Sequence, residues 1–287
     1  MQKKNKKNKK KRYFFFKINK INFTLGEIFY TQKNYEKALF YLKQAFKISD
    51  QKQQILLKIA SCFQKQNNIQ DSIKTYEQAI QINTKNHIPY LKLGWLLVKN
   101  NSIYLGIDNL LKAQCLQPNN FKITQKLGEA YLLLESNEET ENAIFHLMKA
   151  LEIDENNYNC LIGLGKAYEI KGDYDKAIQF TKLAIQYSEK EKFNLNSIFF
   201  LGLLFQKKKD YLNAQKQYQK ILINNSKHIG ALIENATIFN YLENIQQSII
   251  YFKQALQLEP NNKIANMRLG KIYQFKSFEY QKAIKHY

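Results

Sequence analysis

Turn-forming residues are scarce in this chain, which has three prolines and ten glycines among 287 residues. That scarcity excludes a many-stranded sandwich, a collagenous rod and a glycine-rich disordered tail, and long helices remain the economical architecture. Cysteine is scarce as well. Cys62, Cys115 and Cys160 are odd in number, widely separated and set in helical pattern, which suits unpaired thiols in a reducing compartment, cytosol or nucleus. No apolar run approaches the roughly 18 residues that a membrane-spanning helix needs. Even Leu91 to Val98 carries Lys92 and stops at Lys99. The aromatic run Tyr13 to Phe16 is interrupted at Lys17, so it lacks the apolar core of a secretory signal.

The residues of metal and covalent chemistry are equally thin. His87, His146, His228 and His286 stand far apart, with no His-Glu-x-x-His, no Cys-x-x-Cys and no carboxylate cluster at ligand spacing. Gly163-Leu164-Gly165 lacks the preceding strand and the third glycine of a nucleotide-binding loop. Serine, cysteine and histidine are nowhere arranged as an evident nucleophile and base. The expectation is a non-enzyme with no cofactor, no metal and no small-molecule substrate.

Acid is missing from residues 1–20, which hold ten of the 44 Lys and Arg, so half of the formal charge of +20 belongs to one leader. Such a segment repels itself and buries nothing, so we expect it to be disordered. Lys3 to Arg12 would be its means of reaching nucleic acid, acidic lipid or a nuclear import receptor. Lys, Asn, Ile, Tyr and Phe all have A- or T-rich codons, so base composition accounts for part of the remaining charge.

What the sequence does have is a period. From Gly26 a small residue recurs at Ala60, Gly94, Gly128, Gly165, Gly202, Ala236 and Gly270, in steps of 34 or 37 residues. An aliphatic column precedes it at Leu25, Ile59, Leu93, Leu127, Leu164, Leu201 and Leu269, broken only by Asn235. An aromatic column follows at Phe29, Phe63, Tyr131, Tyr168, Phe205, Phe239 and Tyr273, with Leu97 as its exception. Offsets of three and four place these side chains on one helical stripe. A second small column, Ala38, Ser72, Gly106, Ala143, Ala177, Ala214, Ser248 and Ala283, is followed seven residues on by Ala45, Ala79, Ala113, Ala150, Ala184 and Ala255, with Ile221 out of character. It belongs to a second helix. Small residues sit where helix axes approach to about 8 Å, too close for a branched side chain.

Eight units follow, starting near residues 19, 53, 87, 121, 158, 195, 229 and 263, the last incomplete at Tyr287. The missing polar closing helix suggests a fragment or an end covered by a partner. Extra residues fall in the fourth unit's turn (135–140) and at a junction (190–196). Asn235 and Ile221 both fall near the junction of the sixth and seventh units, where a loosened or re-angled contact is expected.

These columns resemble the tetratricopeptide repeat, a 34-residue helix-turn-helix family, over residues 21–287. The resemblance implies an all-α, right-handed solenoid whose first helices line a concave groove for partner peptides or helices. Lys58, Lys92 and Lys126 occupy equivalent sites, a ladder about 10 Å apart if helices stack as usual, suited to extended acidic peptides. Phe23, Tyr30, Trp95, Phe199, Tyr241 and Phe275 fall in columns expected near the same groove, where amphipathic rings anchor partners. The family's chaperone clamp needs Lys and Asn four residues apart, and Phe23/Glu27, Leu57/Ser61 and Leu91/Trp95 do not supply it. Its asparagine ladder is absent too. The expected function is a protein-interaction scaffold or adaptor in the cytoplasm. The alternative is the substrate-recruiting or regulatory arm of a larger enzyme or transport complex, truncated at residue 287.

Overall fold

In a computed structural model of the chain, residues 2–188, 195–275 and 279–286 are described, and their side chains from residue 17 onward except that of Tyr280. Among these residues there are sixteen α-helices and no strand. They fall into two compact units, Met1–Leu134 and Glu135–Tyr287. The first holds α1 (Gln2–Thr31), α2 (Tyr35–Ile48), α3 (Lys52–Lys65), α4 (Ile69–Ile82), α5 (His87–Lys99), α6 (Ile103–Leu116) and α7 (Phe121–Leu132). The second holds α8 (Asn137–Leu151), α9 (Tyr158–Ile170), α10 (Tyr174–Tyr187), α11 (Leu195–Lys207), α12 (Tyr211–Asn224), α13 (Ile229–Tyr241), α14 (Ile245–Leu258), α15 (Lys263–Phe275) and α16 (Tyr280–Ile284). Within each unit every helix packs on the next one in the chain, so helix hairpins stack as an all-α solenoid requires.

The small columns lie at the helix crossings. A Cβ built on Gly94 of α5 would stand 2.8 Å from the carbonyl oxygen of Gly106 in α6, and one on Gly106 would stand 2.7 Å from that of Gly94. Neither backbone can yield, so both residues are held to glycine. Where serine replaces alanine in the second small column its hydroxyl crosses the same contact: Ser72 donates to the Ala60 carbonyl at 2.9 Å and Ser248 to that of Ala236 at 2.8 Å. The aromatic column stacks on the partner helix, with Phe29 on Tyr41, Tyr168 on Phe180 and Phe239 on Tyr251, all at 5.4–5.5 Å between centroids.

The turns follow one scheme that the columns did not reveal. Lys33, Asn67, Asn101, Glu135, Gly172, Lys209 and Glu243 all adopt positive φ, between 51° and 77°, just after a first helix. The next residue caps the second helix: Asn34, Asn68, Asp173, Asp210 and Asn244 each accept a hydrogen bond from the N–H three residues on. The same capping residues donate their N–H groups to the carbonyls of Phe29, Phe63, Tyr168, Phe205 and Phe239, at 2.8–2.9 Å. Each aromatic residue therefore packs with its side chain and ends its helix with its carbonyl.

Three expectations need comment. Helix α1 begins at Gln2, so backbone structure does not change at residue 20. Self-repulsion among lysines argues against packing but does not forbid helical backbone. Ile221 is fully buried in a cluster with Tyr218, Ala231 and Ile238, so the larger side chain is absorbed there. Most of the insertion at 190–196 lies outside the described residues.

Candidate partner-binding surface

In the first unit the expected site residues lie on α1, α3, α5 and α7. Phe23 and Tyr30 are partly buried against the cluster of Leu42, Ile55 and Cys62, and Tyr30 meets Tyr35 edge-on at 5.6 Å. Burial raises the Tyr30 hydroxyl pKa, Cys62 and Tyr35 add to the rise, and Lys58 opposes it. Burial likewise pushes the Cys62 thiol up to about 11, which leaves it protonated and inert.

The three lysines are not equivalent. Lys58 Nζ lies 2.7 Å from Glu27 Oε1. Lys126 pairs with Glu129 on its own helix and stands 4.1 Å from the centre of the Trp95 ring, which Lys99 also approaches at 5.7 Å. A rule connects these contacts: the side chain at this position reaches the residue 31 places earlier, as Lys58 does Glu27, Lys126 does Trp95 and, in the second unit, Arg268 does Thr237. For Lys92 that residue is Ser61, whose hydroxyl already donates to the Leu57 carbonyl at 2.8 Å and meets the Tyr76 hydroxyl at 3.3 Å. Lys92 therefore has no ion-pair partner among the described residues. It is exposed, and its ammonium pKa is lowered by desolvation first, then by Lys122 and Lys58.

In the second unit the site residues lie on α11, α13 and α15. Phe199 stands 5.6 Å from both Tyr218 and His228 and under Gly230, so it packs α11 against the start of α13. Tyr241 and Phe275 are 54% and 65% exposed, and Tyr241 stacks on Tyr211 at 5.0 Å. They flank a cleft of about 280 Å³ that Thr237, Asn240, Arg268 and Lys271 also line. Arg268 donates to Glu234 Oε1 at 3.1 Å and to Thr237 Oγ1. Glu234 accepts in turn from Gln206 Nε2 at 3.1 Å, and Gln206 Oε1 accepts from the Tyr218 hydroxyl at 2.9 Å. The columns named Tyr241 and Phe275 but not the neighbouring Asn240, Arg268 and Lys271 of the cleft, nor Lys122 beside Lys92. Comparing charges one period apart would have found Arg268 opposite Glu234. No group of three His, Cys, Asp or Glu able to hold a metal occurs among the described residues, and none of their helices is long and apolar enough to cross a membrane.

Sequence profiles of the Tetratricopeptide repeat match residues 20–52, 54–83, 126–157, 146–179 and 236–262. The chain belongs to the tetratricopeptide repeat family. As such it is similar to the anaphase-promoting complex subunit CDC16 of Saccharomyces cerevisiae, at 28% identity over 113 residues, which are 37% of this chain and 14% of the yeast protein. The chain thus spans about a seventh of that relative. Among solved structures it is similar to a tetratricopeptide repeat protein of Parabacteroides merdae (14% identity, 88% of this chain and 98% of the other, TM-score 0.65). It is also similar to the C-terminal part of a repeat protein of Cytophaga hutchinsonii (17%, 85% and 97%, TM-score 0.67) and to the anaphase-promoting complex hetero-tetramer Cut9-Hcn1 (15%, 84% and 46%, TM-score 0.61). At these identities the likeness to solved structures establishes the repeat fold.

Proposed function

We propose that this repeat protein is a non-catalytic scaffold that takes extended acidic segments of partner proteins along the face made by its first helices. One observation carries the reading: the exposed Lys92 ammonium, with Lys58 and Lys122 near it, has no ion-pair partner among the described residues. A cation so placed is stabilised by an acidic group brought from outside, which adds selectivity as well as affinity. Glu27 and Glu129 neutralise Lys58 and Lys126, so the ladder narrows to one open rung with two lysines that must exchange partners.

The test is affinity capture from native lysate with wild type, a Lys58→Glu, Lys92→Glu, Lys126→Glu triple variant, and a control carrying Lys47→Glu, Lys74→Glu and Lys112→Glu on the second helices. Partners lost only from the first variant support the reading. Identical partner sets from all three baits discard it. The likeness to CDC16 favours a second reading, in which the repeats form an arm within a larger assembly. Native complexes no larger than the monomer would count against that.

A further inference from the structure

We propose that the cleft between α13 and α15 is a recognition pocket for an extended peptide carrying a bulky apolar residue with an aspartate or glutamate beside it. The proposal rests on reading the first-helix face as the partner-binding one, and it concerns the second unit alone.

The cleft asks for three things at once. Its floor is apolar and dry, because Phe252 and Ile272 are 1% and 4% exposed, while the rings of Tyr241 and Phe275 stand open beside it. Large apolar surface left in water around a concavity is stabilised by a guest side chain. At about 280 Å³ the space takes one large side chain and not a helix. Second, Asn240 Oδ1 is sealed from solvent and accepts no hydrogen bond among the described residues. A buried acceptor left unmet costs about 1–3 kcal/mol. A turn of the Asn240 side chain toward the cleft would present that oxygen to an extended chain, which has its own backbone N–H donors free. Third, the charges do not cancel. Glu234 offsets Arg268, but Lys271 is exposed and has no ion-pair partner among the described residues. The Arg268 contacts use Nη1 alone, and its other N–H groups remain for a second acceptor. A carboxylate over Lys271 and Arg268 balances the site.

Each requirement excludes a simpler guest. A purely apolar segment would leave Lys271 uncompensated, a bare anion would leave the rings in water, and neither need bring an N–H to Asn240.

The experiment is fluorescence anisotropy with the full chain and labelled twelve-residue Gly-Ser peptides whose central pair is Phe-Glu, Ala-Glu or Phe-Gln. A fourth peptide carries Phe at a free C-terminus and no acid. The protein arms are wild type, Lys271→Glu, Phe275→Ala, Lys92→Glu and the second-helix control Lys112→Glu, the first two substitutions being at exposed side chains, with melting curves to confirm folding. We expect the Phe-Glu peptide to bind at least tenfold more tightly than the Ala-Glu and Phe-Gln peptides. Lys271→Glu and Phe275→Ala should each weaken it at least tenfold, and Lys112→Glu, on a second helix of the first unit, should leave it unchanged. Equal binding of all the peptides, or unchanged binding by both pocket variants, overturns the proposal, as does preference for the C-terminal Phe peptide. If binding falls only in Lys92→Glu, the pocket is refuted while the scaffold reading stands. If no peptide binds, the pocket is refuted and the capture experiment alone decides the scaffold reading.

Discussion

Replacing Asn235 by leucine should stabilise the second unit. Asn235 interrupts a column that is otherwise Leu or Ile, is fully buried, and meets no hydrogen-bond partner at either side-chain oxygen or nitrogen among the described residues. Ala231 and Ile238, one turn to either side, belong to the apolar cluster of Tyr218 and Ile221, so the amide lies in the packing between α12 and α13. In the unfolded chain that amide is hydrated. Folding strips the water and returns nothing, a penalty of about 1–3 kcal/mol for each of the two unmet buried atoms, against which the extra volume of leucine costs about 1–3 kcal/mol. A net gain near 2 kcal/mol corresponds to about thirtyfold slower amide exchange through local opening of α13, at tenfold per ~1.4 kcal/mol. Hydrogen exchange is the assay of choice because repeat arrays open in pieces. In the wild type, residues 221–235 should exchange faster than equivalent segments of neighbouring repeats. Asn235→Asp, which buries a charge, should exchange faster still. The reasoning fails if the leucine variant opens as readily as wild type, or if leucine and aspartate shift exchange in the same direction.

Lys209→Gly and Glu243→Gly should each raise stability by roughly 1 kcal/mol in urea titrations, because both residues hold a left-handed backbone at φ 64° and 61° that glycine adopts without strain; Gly172→Ala, at φ 77°, should lose a similar amount. Gly94→Ala should cost about 1–3 kcal/mol by forcing α5 from α6, and an unchanged melting temperature would refute the close approach. Burial and then Lys149 lower the His146 pKa to about 4, so the unfolded chain takes up a proton below pH ~6.5 that the folded chain does not. Stability should therefore fall between pH ~6.5 and 4, by up to about 3 kcal/mol, and then level off, whereas His146→Phe should flatten that slope.

The fold was legible because stacking repeats impose the same steric demand many times. Gly94 and Gly106 are small for a reason that recurs at Ala60 with Ser72 and at Ala236 with Ser248, so one sequence carries its own alignment. The turn scheme escaped notice because its demand is on backbone angle. Lys33, Asn67, Lys209 and Glu243 share a conformation without sharing chemistry, and only Gly172 carries the expected residue. The lining of the second unit's cleft was legible in part. Tyr241 and Phe275, named from their columns, line the cleft and stay exposed, whereas Phe199, in an equally suggestive column, packs against Tyr218 and His228.

Charge was the hardest property to read, and the reason is geometric. A lysine in a stacked array meets residues about one period away as well as its neighbours in sequence. Lys58 finds Glu27, Lys171 finds Glu141, Lys207 finds Glu169 and Lys208 finds Asp175. These exposed pairs contribute little to stability individually, but each removes a cation from the set available to a partner. Scanning one column of lysines counts cations that are already occupied. Subtracting the acid or ring that lies about a period earlier leaves a shorter set, in which Lys92 stands out because Ser61 occupies that place and Lys271 because no acid reaches it among the described residues. On the reading proposed above, the unmatched charge rather than the total charge marks where a partner binds, and a chain with a formal charge of +20 is then selective for a few acidic positions.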